Sequence, residues 1–311
     1  MRIAAVDCGT NSIRLLVADL DQATGTLVEV ERTMQIVRLG EGVDQTGRLS
    51  QGALERTFAA CDEYGARIRS LGAQRVRFVA TSATRDATNR AVFVAGVEQR
   101  IGVLPEVVAG AEEAALSFAG ATRELAGGPP ADEGAAPPYL VVDIGGGSTE
   151  FVVGTDRPEA ALSVDIGCVR LTERHLTSDP PTEQQIEAAR ADIAAALDEV
   201  AAAVPLGSAR TLAGLAGSVT TLAAIDAGLT EYDPRATHHY RLRAEVVHAL
   251  TRRLLAMPRA ERALIPVMHP GRVDVIGGGA LILDEVVRRV GASEVLVSEH
   301  DILDGIAWSL G

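Results

Sequence analysis

One pattern occurs twice in this chain, and it limits the fold more than anything else in the sequence. An apolar run ends in Asp7 and is followed by Cys8-Gly9-Thr10-Asn11-Ser12 and a second apolar run. The pattern returns with an apolar run ending in Asp143, then Ile144-Gly145-Gly146-Gly147-Ser148 and another apolar run. Strands are predicted on both sides of each glycine turn, over 2–7 and 12–20 in the first copy and over 139–143 and 148–153 in the second. A third strand follows each pair, at 26–39 after a turn at 21–25, and at 160–165. A strand, aspartate, glycine turn and strand repeated at such a distance is an internal duplication. Helices follow each hairpin, so the chain is expected to fold as two related α/β lobes.

The segments between the copies carry the helical signals. Ser50 is a candidate N-cap for a helix to about residue 71, with Leu54, Phe58, Cys61, Ile68 and Leu71 at helical spacing. A strand over 75–80, a helix over 87–100 and a strand over 103–108 lead to a helix opening at Gly110-Ala111-Glu112-Glu113. The Gly/Pro-rich stretch that follows reads as a linker. After the second hairpin, Thr182 and Gln185 mark a capping box for a helix over 183–203. Further elements are a strand over 210–215 running into a helix and a helix over 244–257. A strand over 273–276 ends in Gly277-Gly278-Gly279 before a helix over 280–289. A short strand over 295–297 precedes a terminal helix from about 299. The expected domains are a first lobe over 1–125, a linker over 126–138 and a second lobe over 139–299. The terminal segment 300–311 can pack back on the first lobe.

Composition narrows the function classes. Aromatic residues make up only 3 %, so the core must be built from Ala, Val, Leu and Ile. No apolar run is long enough to span a bilayer, and Met1 leads straight into a strand without a cleavage site, so a cytoplasmic protein without a membrane partner is expected. Three cysteines, far apart and without a C-x-x-C spacing, argue against a disulfide framework or a zinc site. The formal net charge of −13 argues against nucleic acid as a partner. A polyanionic substrate would need cations gathered locally.

The chemistry lies in the turns. Gly9 allows backbone to approach a phosphate, while Thr10, Asn11 and Ser12 supply donors; Asp7 can hold a divalent cation or its water shell. Gly145, Gly146 and Gly147 after a strong strand imply backbone that bends around something, with Ser148 beside it. Glu112 and Glu113 complement a helix dipole or orient the water that attacks a terminal phosphate. Arg38, Arg85, Arg90 and Arg170 are candidate phosphate ligands, because guanidinium forks match phosphate oxygens. The stretches 214–221 and 277–279 read as glycine turns offering helix N-termini to an anion. His238 and His239 are adjacent, and adjacent side chains seldom point together, so no metal is expected there.

Taken together these stretches resemble the exopolyphosphatase/guanosine pentaphosphate phosphatase family. The matching residues are Asp7 to Val17, Arg38-Leu39-Gly40-Glu41-Gly42-Val43, Ala80-Thr81-Ser82-Ala83-Thr84-Arg85, Gly110-Ala111-Glu112-Glu113-Ala114, Asp143 to Glu150, Gly167-Cys168-Val169-Arg170-Leu171-Thr172-Glu173 and Gly214 to Thr221. They stand in the family's order over nearly the whole chain. The resemblance implies two ribonuclease H-like lobes of the actin/acetate kinase type with a cleft between them, a homodimer, and Mg²⁺- or Mn²⁺-dependent hydrolysis of phosphoanhydride bonds. It makes Glu113 the catalytic glutamate with Glu112 as its neighbour, Asp143 the catalytic or metal-linked aspartate, and Glu150 a further acidic group of the metal site. Thr10, Asn11, Ser12, Arg85, Gly145, Gly146, Gly147 and Ser148 match phosphate-contacting positions.

Two departures accompany the resemblance. The chain stops after the two lobes, where longer members carry an extra helical region. Leu303-Asp304-Gly305 stands where members often have Arg-Glu-Gly, which removes a cation. Both point to short chains. The expected activity is removal of terminal orthophosphate from inorganic polyphosphate, with guanosine pentaphosphate as the alternative substrate. A sugar or acetate kinase or actin-like ATPase is disfavoured by Glu112-Glu113, which suit water better than an acceptor hydroxyl. A non-catalytic polyphosphate or nucleotide sensor is disfavoured by the retention of Glu113, Asp143 and Glu150.

Overall fold

A computed structural model describes residues 1–21, 23–127 and 135–311. Residues 128–134 of the expected linker and Gln22 of the expected turn lie outside the described residues. The chain divides into two compact units, Met1–Gly120 with Ile302–Gly311, and Ala121–Asp301.

In the first unit β1 (Arg2–Cys8), β2 (Ser12–Asp21) and β3 (Thr26–Ile36) form an antiparallel meander. Helices α1 (Val43–Thr46) and α2 (Gln51–Ser70) lead to β4 (Arg75–Ala80), which pairs parallel to β1. Then come α3 (Ser82–Asp86), α4 (Arg90–Ile101), β5 (Glu106–Val107), parallel to β4, and α5 (Gly110–Gly127). The sheet order is β3-β2-β1-β4-β5. Both faces of this sheet are covered, which is why β1 reads as an unbroken apolar run rather than an alternating one. Ala4, Val6 and Cys8 face a cluster containing Leu54, Tyr64 and Phe93. Ile3 and Ala5 face the other way, onto Leu116 and the terminal helix (Ile302–Trp308). That helix approaches α5 closely: a Cβ on Gly305 would sit 2.0 Å from the Leu116 carbonyl oxygen.

The second unit repeats the plan. Strands β6 (Tyr139–Ile144), β7 (Thr149–Gly154) and β8 (Pro158–Val164) form the meander, followed by α6 (Cys168–His175) and α7 (Glu183–Ala203). Strand β9 (Thr211–Leu215) pairs parallel to β6. Next come α8 (Ala216–Asp226), α9 (Pro234–Thr237), β10 (Arg241–Arg243), α10 (Ala244–Ala256), α11 (Arg259–Arg262), α12 (Ile276–Val290) and β11 (Glu294–Val297). The order is β10-β11-β9-β6-β7-β8, with β11 parallel to β9. From β8 to β11 the strands run third, second, first, fourth and sixth, which matches the first unit once β10 is set aside. β10 is an added antiparallel edge. Each unit is thus a ribonuclease H-like α/β layer built on a hairpin that carries the repeated aspartate and glycine turn.

Several local expectations need correction. The strand expected at 273–276 does not form. Gly277, Gly278 and Gly279 lie inside α12 rather than in a turn before it. They are small because α12 is pressed against its neighbours: a Cβ on Gly279 would meet Ser218 Oγ at 2.0 Å, and one on Gly278 would meet Thr172 Oγ1 at 2.8 Å. Strand β5 keeps only two residues of the expected 103–108, and α4 starts at Arg90, after the separate turn of α3. The terminal helix starts at Ile302 rather than near 299. β3 stops at Ile36 because the next two N–H groups, of Val37 and Arg38, turn to the Asn11 carbonyl. His238 and His239 do lie together, their rings stacked 3.8 Å apart, because His239 adopts a left-handed φ of 61° that folds it back. The caps at Ser50 and at Thr182 with Gln185 are both formed.

Among the described residues no helix is long and apolar enough to cross a membrane. All three cysteines are buried. Burial raises their thiols above the ordinary value, to about 12 for Cys61 and about 11 for Cys168, with Cys8 shifted the same way. A thiol near 11 is ionised in about one molecule in a thousand at pH 8. The folded protein is therefore expected to resist iodoacetamide at pH 8 for an hour. Rapid mass gain at any of the three cysteines would show that its burial is not maintained in solution.

Candidate active site

The two glycine turns are closed in the same way. Gly9 N–H donates to the Ser12 carbonyl at 2.9 Å, and Gly145 N–H donates to the Ser148 carbonyl at 3.0 Å. Each turn is then anchored by the chain that follows its third strand. In the first, the Thr10 carbonyl accepts from Gly40 N–H and the Asn11 carbonyl from Val37 and Arg38 N–H. In the second, the Gly145 carbonyl accepts from Cys168 N–H, and the Gly146 carbonyl from Val169 and Arg170 N–H. Arg170 Nε donates to the Gly147 carbonyl at 2.7 Å. The second turn therefore caps the first N–H groups of α6, which has no side-chain cap of its own.

These anchors fix where the remaining donors point. A trans peptide sets each C=O opposite the N–H of the next residue. With the carbonyls of Gly145, Gly146 and Gly147 held by α6, the N–H groups of Gly146, Gly147 and Ser148 face the other way. Among the described residues none of the three has a backbone acceptor outside the strands and helices. Successive N–H groups on one side of a glycine loop form an anion-binding concavity. By the same geometry the N–H groups of Asn11 and Ser12 point away from the 37–40 segment. Thr10 itself is turned inward, and among the described residues its buried hydroxyl has no hydrogen-bond partner.

Close approach at the anchors requires glycine. A Cβ on Gly40 would sit 2.3 Å from Thr10 Cγ2, and one on Gly167 would sit 2.4 Å from the Gly146 carbonyl. Gly167 meets backbone that cannot swing aside, so Gly167→Ala is expected to push the second turn off α6. The expected results are a loss of about 1–3 kcal/mol of stability and a several-fold rise in KM for the phosphate substrate. Thermal melting and steady-state kinetics test it; an unchanged KM would separate the turn from substrate binding.

The aspartates before the turns have different partners. Asp7 pairs with Arg14 across the hairpin, and Arg14 donates to Asp7 Oδ2 through Nη2 at 2.6 Å and Nε at 3.0 Å. Asp143 pairs in register with Glu150, and Glu150 with Ser163, whose hydroxyl donates to Glu150 Oε1 at 2.8 Å. Directly opposed residues on antiparallel strands share a face, so both carboxylates of the second hairpin stand side by side, and both are buried. Hard oxygen donors of this kind suit Mg²⁺ or Mn²⁺. Among the described residues no group of three or more His, Cys, Asp or Glu forms a ready-made metal cluster.

Glu112 and Glu113 separate cleanly. The Glu112 side chain is 49 % exposed and accepts from Arg77 Nη2, which also binds Glu106. Hydrogen bonds donated to Glu106 and then to Glu112 hold the Arg77 guanidinium above its ordinary value. The Glu113 side chain is 9 % exposed and accepts from Arg85 Nη1 at 3.0 Å, while the same Nη1 donates to the Val108 carbonyl at 3.1 Å. Arg85, expected at a phosphate, thus lies against the buried glutamate. Arg38 sits half-buried in the first anchor with a left-handed φ of 50°. Arg170 supports the second turn. Arg90 opens α4 on the surface.

Three residues carrying this arrangement were given no role in the sequence reading. Arg14 had a signal, since it occupies in the first hairpin the place of Glu150 in the second. Gly167 stood in a stretch that resembles the family, but nothing local marked its close approach to the turn. Arg272, whose guanidinium lies over Gly217 at the start of α8, had none. Leu303 is buried among Ile302, Ile306 and the first sheet, and Arg32 binds Asp304 at 2.5 Å, so these two positions serve packing and an ion pair.

Known proteins resemble this chain over nearly its whole length. The model of the Ppx/GppA phosphatase family matches residues 16–310. Exopolyphosphatase 2 of Mycobacterium tuberculosis is 50 % identical over 99 % of this chain and 98 % of its own length. A crystal structure of an exopolyphosphatase-like protein superposes with a TM-score of 0.94 at 44 % identity, covering 100 % of this chain and 99 % of the other. An exopolyphosphatase from Cytophaga hutchinsonii gives a TM-score of 0.86 at 26 % identity, covering 100 % and 97 %.

Proposed function

The chain belongs to the Ppx/GppA phosphatase family, and from that premise we propose that it is an exopolyphosphatase, hydrolysing terminal phosphoanhydride bonds of inorganic polyphosphate to release orthophosphate. One observation carries the reading. Two equivalent glycine turns, each preceded by a buried aspartate, have their carbonyls tied down so that successive N–H groups are left for an anion. Each such loop offers donors that suit a phosphate group. The substrate's identity is supported by the relative named exopolyphosphatase 2.

The residues of each unit take their own roles in this reading. The first supplies N–H donors at Asn11 and Ser12 and the carboxylate of Glu113 as general base for the attacking water. The second supplies the donors of Gly146, Gly147 and Ser148. Asp143 and Glu150 would hold Mg²⁺ or Mn²⁺, which supplies positive charge to phosphate oxygens when bound. Arg85 lies beside Glu113 and supplies the opposite charge that lets an ionised carboxylate sit at that depth. Arg38 and Arg170 hold the anchors in this reading.

Guanosine pentaphosphate is the alternative substrate, favoured by the second half of the family's description. The same reading includes a cytoplasmic location and a homodimer. Short polyphosphate is favoured over long, because a net charge of −13 repels whatever part of a long polyanion lies beyond the loops. The test is phosphate release with Mg²⁺ from short polyphosphate, long polyphosphate and guanosine pentaphosphate at equal concentrations of chain ends. Release fastest from short polyphosphate is expected. Release from guanosine pentaphosphate alone would move the chain to the alternative, and no release from any would end the hydrolase reading.

A further inference from the structure

The two hairpins pair in the same register, and the comparison exposes a substitution of charge. Asp7 in β1 stands opposite Arg14 in β2; Asp143 in β6 stands opposite Glu150 in β7. Three features around these pairs are repeated: the turn-closing hydrogen bond, the anchored carbonyls, and the third strand alongside. The residue facing the aspartate changes sign. We propose that Arg14 is the built-in cation of the first hairpin, occupying the place where the second hairpin gathers a divalent ion, so that the protein binds one such ion per chain and Arg14 sets that number.

The geometry argues for this directly. Arg14 reaches Asp7 through two nitrogens converging on one oxygen, Nη2 at 2.6 Å and Nε at 3.0 Å. Asp7 is almost fully buried, and its neighbour is only partly exposed. A guanidinium held there neutralises the carboxylate without any exchangeable ion, and its bulk fills the space beside the strand end. In the second hairpin the equivalent position adds a negative charge, so the pair becomes two hard oxygen donors on one face. Two anion-binding loops in one chain would then differ in kind. The first is permanently poised, while the second responds to the concentration of divalent ion.

The inference rests on the metal reading of Asp143 and Glu150, and the experiment separates the two. Mn²⁺ binding to the full-length chain is measured by electron paramagnetic resonance of the free ion, without substrate. The wild type is expected to bind one ion. Glu150→Arg, which copies the first hairpin into the second, should bind none. Arg14→Glu, which copies the second into the first, should bind two. Arg14→Gln, milder on folding, should bind a second ion at least tenfold more weakly than the first. No binding by the wild type, or one ion retained by Glu150→Arg, would overturn the metal reading itself. One ion in the wild type, none in Glu150→Arg, and still only one in both Arg14 variants would overturn the role of Arg14 alone. If Arg14→Glu is unfolded in the absence of metal, refolding on addition of Mn²⁺ with two ions bound supports the proposal, and Arg14→Gln decides it otherwise.

Discussion

Glu113→Gln is expected to lower turnover by about a hundredfold or more while leaving KM within a few-fold of the wild type, because a general base acts on the reaction and not on substrate affinity. Glutamine has the size and one of the oxygens of glutamate. It can still accept from Arg85 Nη1, so the first turn of α5 keeps its place beside the Val108 carbonyl. What it loses is the capacity to take a proton from water. Glu112→Gln is the internal control. Its carboxylate is half exposed, and the Arg77 it binds remains held by Glu106, so turnover should stay within about threefold of the wild type. Single-turnover phosphate release measures the chemical step directly. A Glu113→Gln protein that turns over normally, or a Glu112→Gln protein that does not, would remove Glu113 from the role of base.

The contrast between these neighbours shows where sequence reading stops. Two adjacent glutamates at a helix start are equivalent on paper. About 100° of helical rotation leaves one half exposed against Arg77 and the other buried against Arg85. The repeated hairpins, by contrast, were legible, because a strand ending in aspartate before glycine is a local pattern with a local cause. So were the caps at Ser50 and Thr182. The three glycines at 277–279 misled because glycine has two uses, turning the chain and letting elements approach closely. Here the second use applies, and it depends on Ser218 and Thr172, which are distant in sequence. His238 and His239 misled because a left-handed backbone at His239 undoes the ordinary divergence of neighbours. Arg14 lay in plain view within the first motif. Its meaning appears only when the two copies are laid over each other and the partner of each aspartate is compared.

Removal of divalent ions is expected to have the largest effect of all, lowering phosphate release by about a thousandfold or more, with recovery on addition of Mg²⁺ or Mn²⁺. The argument starts from charge. A phosphate chain carries about one negative charge per unit, and the loop of Gly146, Gly147 and Ser148 meets it with partial charges only. Beside that loop stand Asp143 and Glu150, directly paired across β6 and β7 and both buried. Without a bridging cation they repel the substrate, and buried carboxylates act over short distances with little screening. Stabilising the developing charge of the transferred phosphoryl group is worth several kcal/mol, and each 1.36 kcal/mol is a factor of ten in rate. Glu150→Gln removes one of the two proposed ligands while preserving the Ser163 contact as a hydrogen bond. It should therefore raise the Mg²⁺ concentration needed for half-maximal rate by about tenfold or more, with some activity regained at high Mg²⁺. A purely structural role for Glu150 would lower activity equally at every Mg²⁺ concentration. Chelator titration of the wild type, and Mg²⁺ titration of Glu150→Gln, are the measurements; full activity in excess chelator would exclude a metal from the reaction and leave the paired carboxylates to be explained by a shared proton.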